Sequence, residues 1–299
     1  MTTALASLTS VHKRFGKVKA LDGLDLSINK GELLAVLGPN GAGKSTAIAL
    51  LLGLDRADQG DVELFGMDPS ELEARRRIGI MMQEVALSPV AKARELITQV
   101  ASYYPAPYEV NAVVKRLSLE SLIDRPYKDL SGGQKRQIQF GMAVVGRPEL
   151  MFLDEPSVGM DVNARDALWR VVRDLLHEGV SIVLTTHYLE EAEALATRVS
   201  VLSQGKQVAG GTVDEIRAHV TRRHVHARTT LDAATVRAWP EVEELDDDAG
   251  RLHVITHDAE AVLRRLLGAD ANVRDIEVRR AGLAEAFTHI TGDASEKLQ

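Results

Sequence analysis

A run of nine residues, Gly38-Pro39-Asn40-Gly41-Ala42-Gly43-Lys44-Ser45-Thr46, satisfies the spacing G-x-x-x-x-G-K-[ST]. Glycines at 38, 41 and 43 let the backbone wrap closely and aim successive N–H groups at phosphate oxygens, and a helix starting at Lys44 would add its positive N-terminus. That chemistry suits a nucleoside triphosphate. Lys44 would act as a point charge on the β- and γ-phosphates, and the Ser45 hydroxyl as a ligand of Mg2+. A Gly-rich turn that merely caps a structural helix is the plainer alternative, and the length of the pattern argues against it.

Two further clusters could share that chemistry. Asp154 and Glu155 close an apolar run, and in such a pair one carboxylate can hold a metal while the other orients and deprotonates an attacking water. Alone an Asp-Glu pair is commonplace; beside a phosphate loop it reads as catalytic. Leu130-Ser131-Gly132-Gly133-Gln134 precedes a helix-like stretch from Lys135 to Val145. Ser131 is a good N-cap and the paired glycines leave the first-turn amides open, which makes a second potential anion site. A well-capped helix is the bland alternative, but capping does not need both glycines.

The elements that must position these groups are four short apolar runs, Leu33–Leu37, Ile78–Met82, Leu150–Leu153 and Ser181–Leu184. Apolar on both faces, they suit the middle of a sheet covered by helices on each side, an α/β arrangement. The first runs into Gly38, the second into Gln83, the third into Asp154 and Glu155, and the fourth into Thr185, Thr186 and His187. Ligands of open α/β sheets bind outside the carboxyl ends of the strands, so these groups are expected to converge.

The 299 residues are 45% hydrophobic and 26% charged, which excludes collagen-like, coiled and wholly disordered classes. The longest apolar stretches, such as Ala47–Leu54, are far too short to cross a bilayer. Met1–Ser10 lacks the positive start and apolar run of a secretory signal, and there is no cysteine. A cytoplasmic protein without disulfide, thiolate or iron–sulfur chemistry is therefore expected. A net charge of −7 disfavours nucleic acid as a partner. Arg75-Arg76-Arg77 reads as a solvated helix end, and His224 with His226 lacks an evident third ligand for a metal.

The succession of phosphate loop, Gln83, LSGGQ, Asp154-Glu155, Asp161 and His187 resembles the ATP-binding cassette family, the nucleotide-binding subunits of ABC transporters, over roughly residues 1–220. The resemblance implies ATP and Mg2+ as ligands. It also implies a head-to-tail dimer in which the LSGGQ segment of one subunit, Ser131, Gly132, Gly133 and Gln134, closes over ATP held by the loop Gly38–Thr46 of the other. One copy of each motif means that two nucleotide-binding domains are needed, from two copies of this chain or from a different partner. Phe15, in Lys13-Arg14-Phe15-Gly16, would stack on adenine, with a core phenylalanine in an N-terminal hairpin as the alternative. Gln83 would sense Mg2+ and the γ-phosphate, Asp154 would be the metal-side carboxylate beside Ser45, Glu155 the general base, and His187 a hydrogen-bonding partner of the γ-phosphate. The segment Ser157–Asp161 matches the loop that crosses to the other subunit, with Met160 where most relatives have Leu, a mild change. Ala86–Glu95 lacks the usual Leu-Thr pair, which bears on the permease partner and leaves hydrolysis untouched.

From Thr221 the pattern changes. Arg222–Ala227, Val242–Leu245, Arg251–Thr256 and Val273–Val278 predict strands, Ala233–Ala238 and Ala259–Leu267 helices, and Asp246–Gly250 a hairpin turn. The order β-α-β-β-α-β is that of a ferredoxin-like module, and its excess of Asp and Glu over Lys and Arg again argues against nucleic acid. Leu283–Gly292 resembles the closing helix of exporter ATPases of the daunorubicin-resistance type.

The expected organisation is an α/β P-loop NTPase fold of the ABC nucleotide-binding type in residues 1–220, with a mixed sheet core, an antiparallel β subdomain and a helical subdomain. A small C-terminal α+β ferredoxin-like domain with a regulatory or dimerising role follows in residues 221–292, then a flexible tail in 293–299. The resemblance implies an ATPase that dimerises on ATP and powers a separate integral-membrane permease, an ABC-2-type exporter of drugs or small molecules, from the cytoplasmic face of the cell membrane. The competing readings are a soluble cassette ATPase without a permease, acting on ribosomes, DNA or cofactor assembly, and a kinase or GTPase. The last shares the phosphate loop but does not account for LSGGQ with His187.

Overall fold

The computed structural model describes residues 4–296 apart from Glu84, Thr221 and Ala249, and of residues 293–296 the backbone alone. Strand β1 (Ala4–Phe15) turns back at Gly16 into β2 (Val18–Asn29), and their apolar residues Ala6, Leu8, Val11, Leu21, Leu24, Leu26 and Ile28 enter one core. Strand β3 (Leu33–Leu37) is buried along its whole length and leads through the glycine loop into helix α1 (Lys44–Leu51). Strand β4 (Gln59–Leu64) pairs with β1, which makes a three-stranded antiparallel sheet in the order β2-β1-β4.

Helix α2 (Leu72–Arg75) and strand β5 (Ile78–Met81) bring the chain to a helical layer of α3 (Ala93–Ala101), α4 (Val110–Arg116) and α5 (Gly132–Val145). Ala93, Leu96, Ile97 and Ala101 of α3 are buried at helical spacing, and they share a core with Val113 and Val114 of α4 and Ile138 and Val145 of α5. Glu95 starts α3 by accepting from the Lys92 N–H at 2.8 Å. Helix α5 begins at Gly132, ahead of the expected Lys135, because the glycines form its first turn behind the Ser131 cap.

Strand β6 (Leu150–Asp154), helix α6 (Val162–His177), strand β7 (Ser181–Thr185), helix α7 (Leu189–Leu195) and strands β8 (Arg198–Ser203) and β9 (Lys206–Gly211) complete a six-stranded sheet in the order β5-β6-β7-β3-β8-β9. All neighbours are parallel except β8 and β9. The carboxyl ends of β5, β6, β7 and β3 therefore lie along one edge, the topology expected from four apolar runs.

The chain divides into two compact units at Val213/Asp214, ahead of the expected boundary at 220/221, because residues from Asp214 onward cluster with the C-terminal unit. Helix α8 (Val213–Arg217) lies at that division. In the C-terminal unit β10 (Arg223–Arg228), α9 (Ala233–Arg237), β11 (Val242–Asp248), β12 (Arg251–Thr256), α10 (Ala259–Ala269) and β13 (Arg274–Arg280) build an antiparallel sheet in the order β11-β12-β10-β13, the ferredoxin-like arrangement. Val225, Ala227, Leu252 and Val254 meet Val262 and Leu266 of α10 in its core. Helix α11 (Leu283–Glu296) continues past Gly292 into the stretch expected to be a tail, carried by helix formers such as Ala294 and Glu296. The rest of that expected tail, residues 297–299, lies outside the described residues. Among the described residues no helix is long and apolar enough to cross a membrane.

Candidate nucleotide site

The loop after β3 is shaped by contacts that only glycine allows. A Cβ on Gly38 would lie 2.5 Å from the Leu202 carbonyl oxygen, and one on Gly43, at φ +103° as the N-cap of α1, would lie 2.6 Å from that of Ala20. Pro39, Asn40, Gly41 and Ser45 are exposed, Thr46 is half-buried, and Ala42 is buried beneath them. Lys44 folds back into the loop: its Nζ donates to Gly38 O at 2.5 Å and Pro39 O at 3.1 Å. Burial pushes the Lys44 pKa down, while Glu155 and Asp154 act in the opposite sense, so both carboxylates stand within electrostatic reach of the ammonium.

The ends of β6 and β7 are bonded to each other. Thr185 Oγ1 donates to Asp154 Oδ1, and the Glu155 N–H donates to Thr185 O at 2.9 Å. Glu155 takes φ +52°, a left-handed conformation that costs a non-glycine residue about 1–3 kcal/mol and that clusters at functional sites. Its Oε2 is 2.6 Å from His187 Nδ1 and accepts from the His187 N–H at 3.4 Å. The Glu155 side chain is only 12% exposed and that of His187 59%. The imidazole thus lies over the carboxylate on the solvent side.

The remaining predicted residues occupy the same unit in different ways. Gln83 is exposed just past β5, and the Met82 carbonyl before it accepts from Arg136 Nη1 of α5 at 2.8 Å. Ser131 and Gln134 form a reciprocal capping box at the start of α5, with Ser131 Oγ accepting from Gln134 N at 3.3 Å and Gln134 Oε1 from Ser131 N at 3.0 Å. Gly133 abuts the next motif: a Cβ there would meet Gly159 O at 2.8 Å, whereas one on Gly132 meets nothing within 4 Å. Asp161 caps α6 by accepting from Ala164 N at 2.9 Å. Among the described residues no hydrogen bond or ion pair joins Ser131–Gln134 to the loop Gly38–Thr46 of the same chain. Phe15 is 52% exposed at the end of β1, with Lys13 Nζ 5.1 Å from its ring centre, so it is not a core residue.

Sequence reasoning missed Thr185 as the residue that aligns Asp154, Arg136 as the tie between α5 and Met82, and Glu191, which is fully buried against Trp169. The proximity of Thr185 to His187 in sequence was a usable signal. Nothing in the run Leu189-Glu190-Glu191-Ala192-Glu193 marks one glutamate as buried.

The donors available to a metal are a hydroxyl (Ser45), an amide oxygen (Gln83) and a carboxylate (Asp154), a set of hard oxygens that fits Mg2+. Asp154 Oδ1 is engaged by Thr185, and Oδ2 carries no hydrogen bond among the described residues, so a metal-binding oxygen is available. His224 is satisfied by its neighbours, Nδ1 at 2.8 Å from His253 Nε2 and Nε2 at 2.9 Å from Glu285, while His226 stacks on His253. Among the described residues no group of three His, Cys, Asp or Glu is placed to hold a metal ion.

Comparison with known proteins places this geometry. Residues 21–158 match the family model described as ABC transporter. A daunorubicin resistance ATP-binding protein of Streptomyces coeruleorubidus is 35% identical over 98% of both chains, and a Nod factor export ATP-binding protein I of Burkholderia thailandensis is 36% identical, also over 98% of both. Among solved structures, the ATP-binding subunit of an ABC transporter superposes with a TM-score of 0.67 at 26% identity, covering 72% of this chain and 92% of that one. A bacterial ABC transporter cassette solved as a dimer gives 0.63 at 25% identity, covering 69% and 98%.

Proposed function

The chain belongs to the ABC transporter family as an ATP-hydrolysing, ATP-binding subunit, and from that premise we propose that it dimerises on ATP at the cytoplasmic face of the cell membrane and powers a separate permease that exports drug-like or other small organic molecules. Likeness to exporter subunits over 98% of the chain, C-terminal unit included, is the observation that carries this reading. The C-terminal unit serves as an accessory domain of the ATPase.

The residues divide the work as follows. Phe15 offers an exposed ring face for adenine. The amides of Gly38–Thr46 take the phosphates, and Lys44 exchanges its own loop carbonyls for β- and γ-oxygens. Ser45, Asp154 and Gln83 hold Mg2+, whose chemistry there is neutralisation of charge on the β- and γ-phosphates. Glu155 orients water and takes its proton; the water oxygen bonds to the γ-phosphorus as the bond to the β,γ-bridging oxygen breaks, leaving ADP and phosphate. His187 holds that carboxylate through Nδ1, and a turn of the imidazole toward the γ-phosphate would free the base. The Ser131–Gln134 segment and Asp161 of a second copy close over the nucleotide.

Two measurements test the proposal. Glu155→Gln is expected to bind ATP, to release no phosphate, and to run as a stable ATP-dependent dimer on gel filtration; near-normal phosphate release would remove Glu155 as the base. Purification from detergent-solubilised membranes is expected to bring down a stoichiometric hydrophobic partner, and its consistent absence would favour a cassette ATPase that works without a permease.

A further inference from the structure

Glu191 lies one helical turn beyond His187 on α7, and it is fully buried. Its Oε1 accepts from Trp169 Nε1 of α6 at 3.1 Å. The hydroxyls of Thr186, the residue before His187, and of Ser157, two residues after Glu155, stand beside the carboxyl group and act on its ionisation. Yet Glu191 Oε2 and Ser157 Oγ are both sealed from solvent and both lack an aligned hydrogen bond. Two buried polar atoms left unsatisfied are costly in a finished core, about 1–3 kcal/mol each. They are understandable in a joint that closes in a second state of the protein. Among the described residues no lysine or arginine is ion-paired with Glu191; burial pushes its pKa up and the charge of Glu155 acts in the same sense.

We propose that Glu191 is a positioning residue for hydrolysis, its carboxyl group joining Ser157, and with it the segment through Asp161, to the strand end that carries His187. The geometry supplies each half of the joint. On one side Thr186 Oγ1 accepts from the Tyr188 N–H at 3.0 Å, which fixes the entry to α7, and Glu191 is the first buried polar group on that helix. On the other side Ser157 opens the stretch whose far end, Asp161, caps α6, and Trp169 of α6 holds Glu191 from behind. In the closed joint Glu191 accepts from Trp169 through one oxygen and its other oxygen meets Ser157 Oγ in a hydrogen bond. The segment between the catalytic carboxylate and α6 then moves together with His187, so closure over nucleotide is reported to the residue that releases Glu155.

This inference rests on the hydrolytic reading of Glu155, and the test separates the two. Phosphate release by the full chain is measured as kcat and KM for ATP in Glu191→Ala, Glu191→Gln, Ser157→Ala and the Glu191→Ala/Ser157→Ala pair, with Glu155→Gln as the control. Misplacing a reacting group by about 1 Å costs roughly 100-fold, so Glu191→Ala and Ser157→Ala are expected to lower kcat by about 10- to 100-fold with KM for ATP little changed. Glutamine still accepts from Trp169 and donates to Ser157, so Glu191→Gln restores most of the turnover that alanine loses. The double variant is no slower than the slower single variant, because both remove the same joint. Losses that multiply, a glutamine variant as slow as alanine, or a folded Ser157→Ala with unchanged kcat would each overturn the proposal. Should Glu191→Ala not fold, Ser157→Ala and Glu191→Gln decide it alone. A Glu155→Gln variant that still hydrolyses ATP would instead sink the reading of the site itself.

Discussion

Gly132 and Gly133 are adjacent, yet a side chain has room at the first and none at the second. A methyl group on Gly133 would press to 2.8 Å from Gly159 O and 3.2 Å from Met160 Cα, both backbone atoms of the segment that ends in Asp161. Overpacking of that kind costs about 1–3 kcal/mol, and a domain of this size loses about 2–4 °C of Tm per kcal/mol. Gly133→Ala is therefore expected to melt roughly 2–12 °C lower. A methyl group on Gly132 meets nothing within 4 Å, and alanine in a helix is favoured over glycine by up to about 1 kcal/mol. Gly132→Ala should then melt at or slightly above the parent temperature. Both variants should still bind ATP, since the loop Gly38–Thr46 is untouched. Both should lose turnover, about 10- to 100-fold, because in the proposed dimer the Gly132→Ala methyl group would stand where phosphates held by a second copy approach the α5 amides, and Gly133→Ala would displace the segment ending in Asp161. Thermal melts, nucleotide binding and phosphate release on the same samples settle the matter. A Gly132→Ala protein that melts as low as Gly133→Ala would refute the steric accounting, and one with parental turnover would refute the assignment of that open face to nucleotide.

Phe15→Ala should leave the melt nearly unchanged, because the ring is 52% exposed, while ATP affinity falls by about 1–3 kcal/mol, roughly 5- to 150-fold in Kd, with GTP affected alike since stacking does not read base edges; fluorescence titration would show it. Arg136→Ala removes a buried charged donor to Met82 O and Gln139 Oε1 and is expected to cost about 1.5–3 kcal/mol in urea unfolding. Asp270 accepts from Thr229 Oγ1 at 2.6 Å and from the N–H groups of Thr230 and Asn272 at 2.7 and 2.8 Å, and these bonds hold its carboxyl far below the usual range. A depressed folded-state pKa contributes stability that is complete above the unfolded value near 4 and is lost as pH falls from there toward the folded value. Hydrogen-exchange protection in the C-terminal unit, taken relative to the intrinsic rate at each pH, should accordingly fall below about pH 4, and Asp270→Asn should lower it already at neutral pH and flatten the acid response.

The strand ends were legible because the interiors of β3, β5, β6 and β7 are apolar and, Ile80 of β5 apart, buried, so the polar residue that closes or follows each run marks an end. Strands β1 and β2 offered no such signal: register shifts at four places along the pair break the two-residue alternation. The glycine loop was legible as a spacing, but the folded-back Lys44 was not, since its partners are backbone carbonyls that any sequence carries. Glu191 was hidden for a related reason. A glutamate inside Leu-Glu-Glu-Ala-Glu has the composition of a solvated helix, and only the placement of Trp169 and Ser157 against it makes it a core residue. Gln134 read as part of an anion site and proves also to be half of a capping box, a spacing of three from Ser131 that was open to view in the sequence.

The lysine proposed to answer to phosphate is bonded to the Gly38 and Pro39 carbonyls of its own loop. The receptor is thus its own surrogate guest, and nucleotide entry is an exchange of partners in place of a simple addition. What is measured as affinity becomes the difference between two occupied states, and the departing product leaves no naked charge behind it.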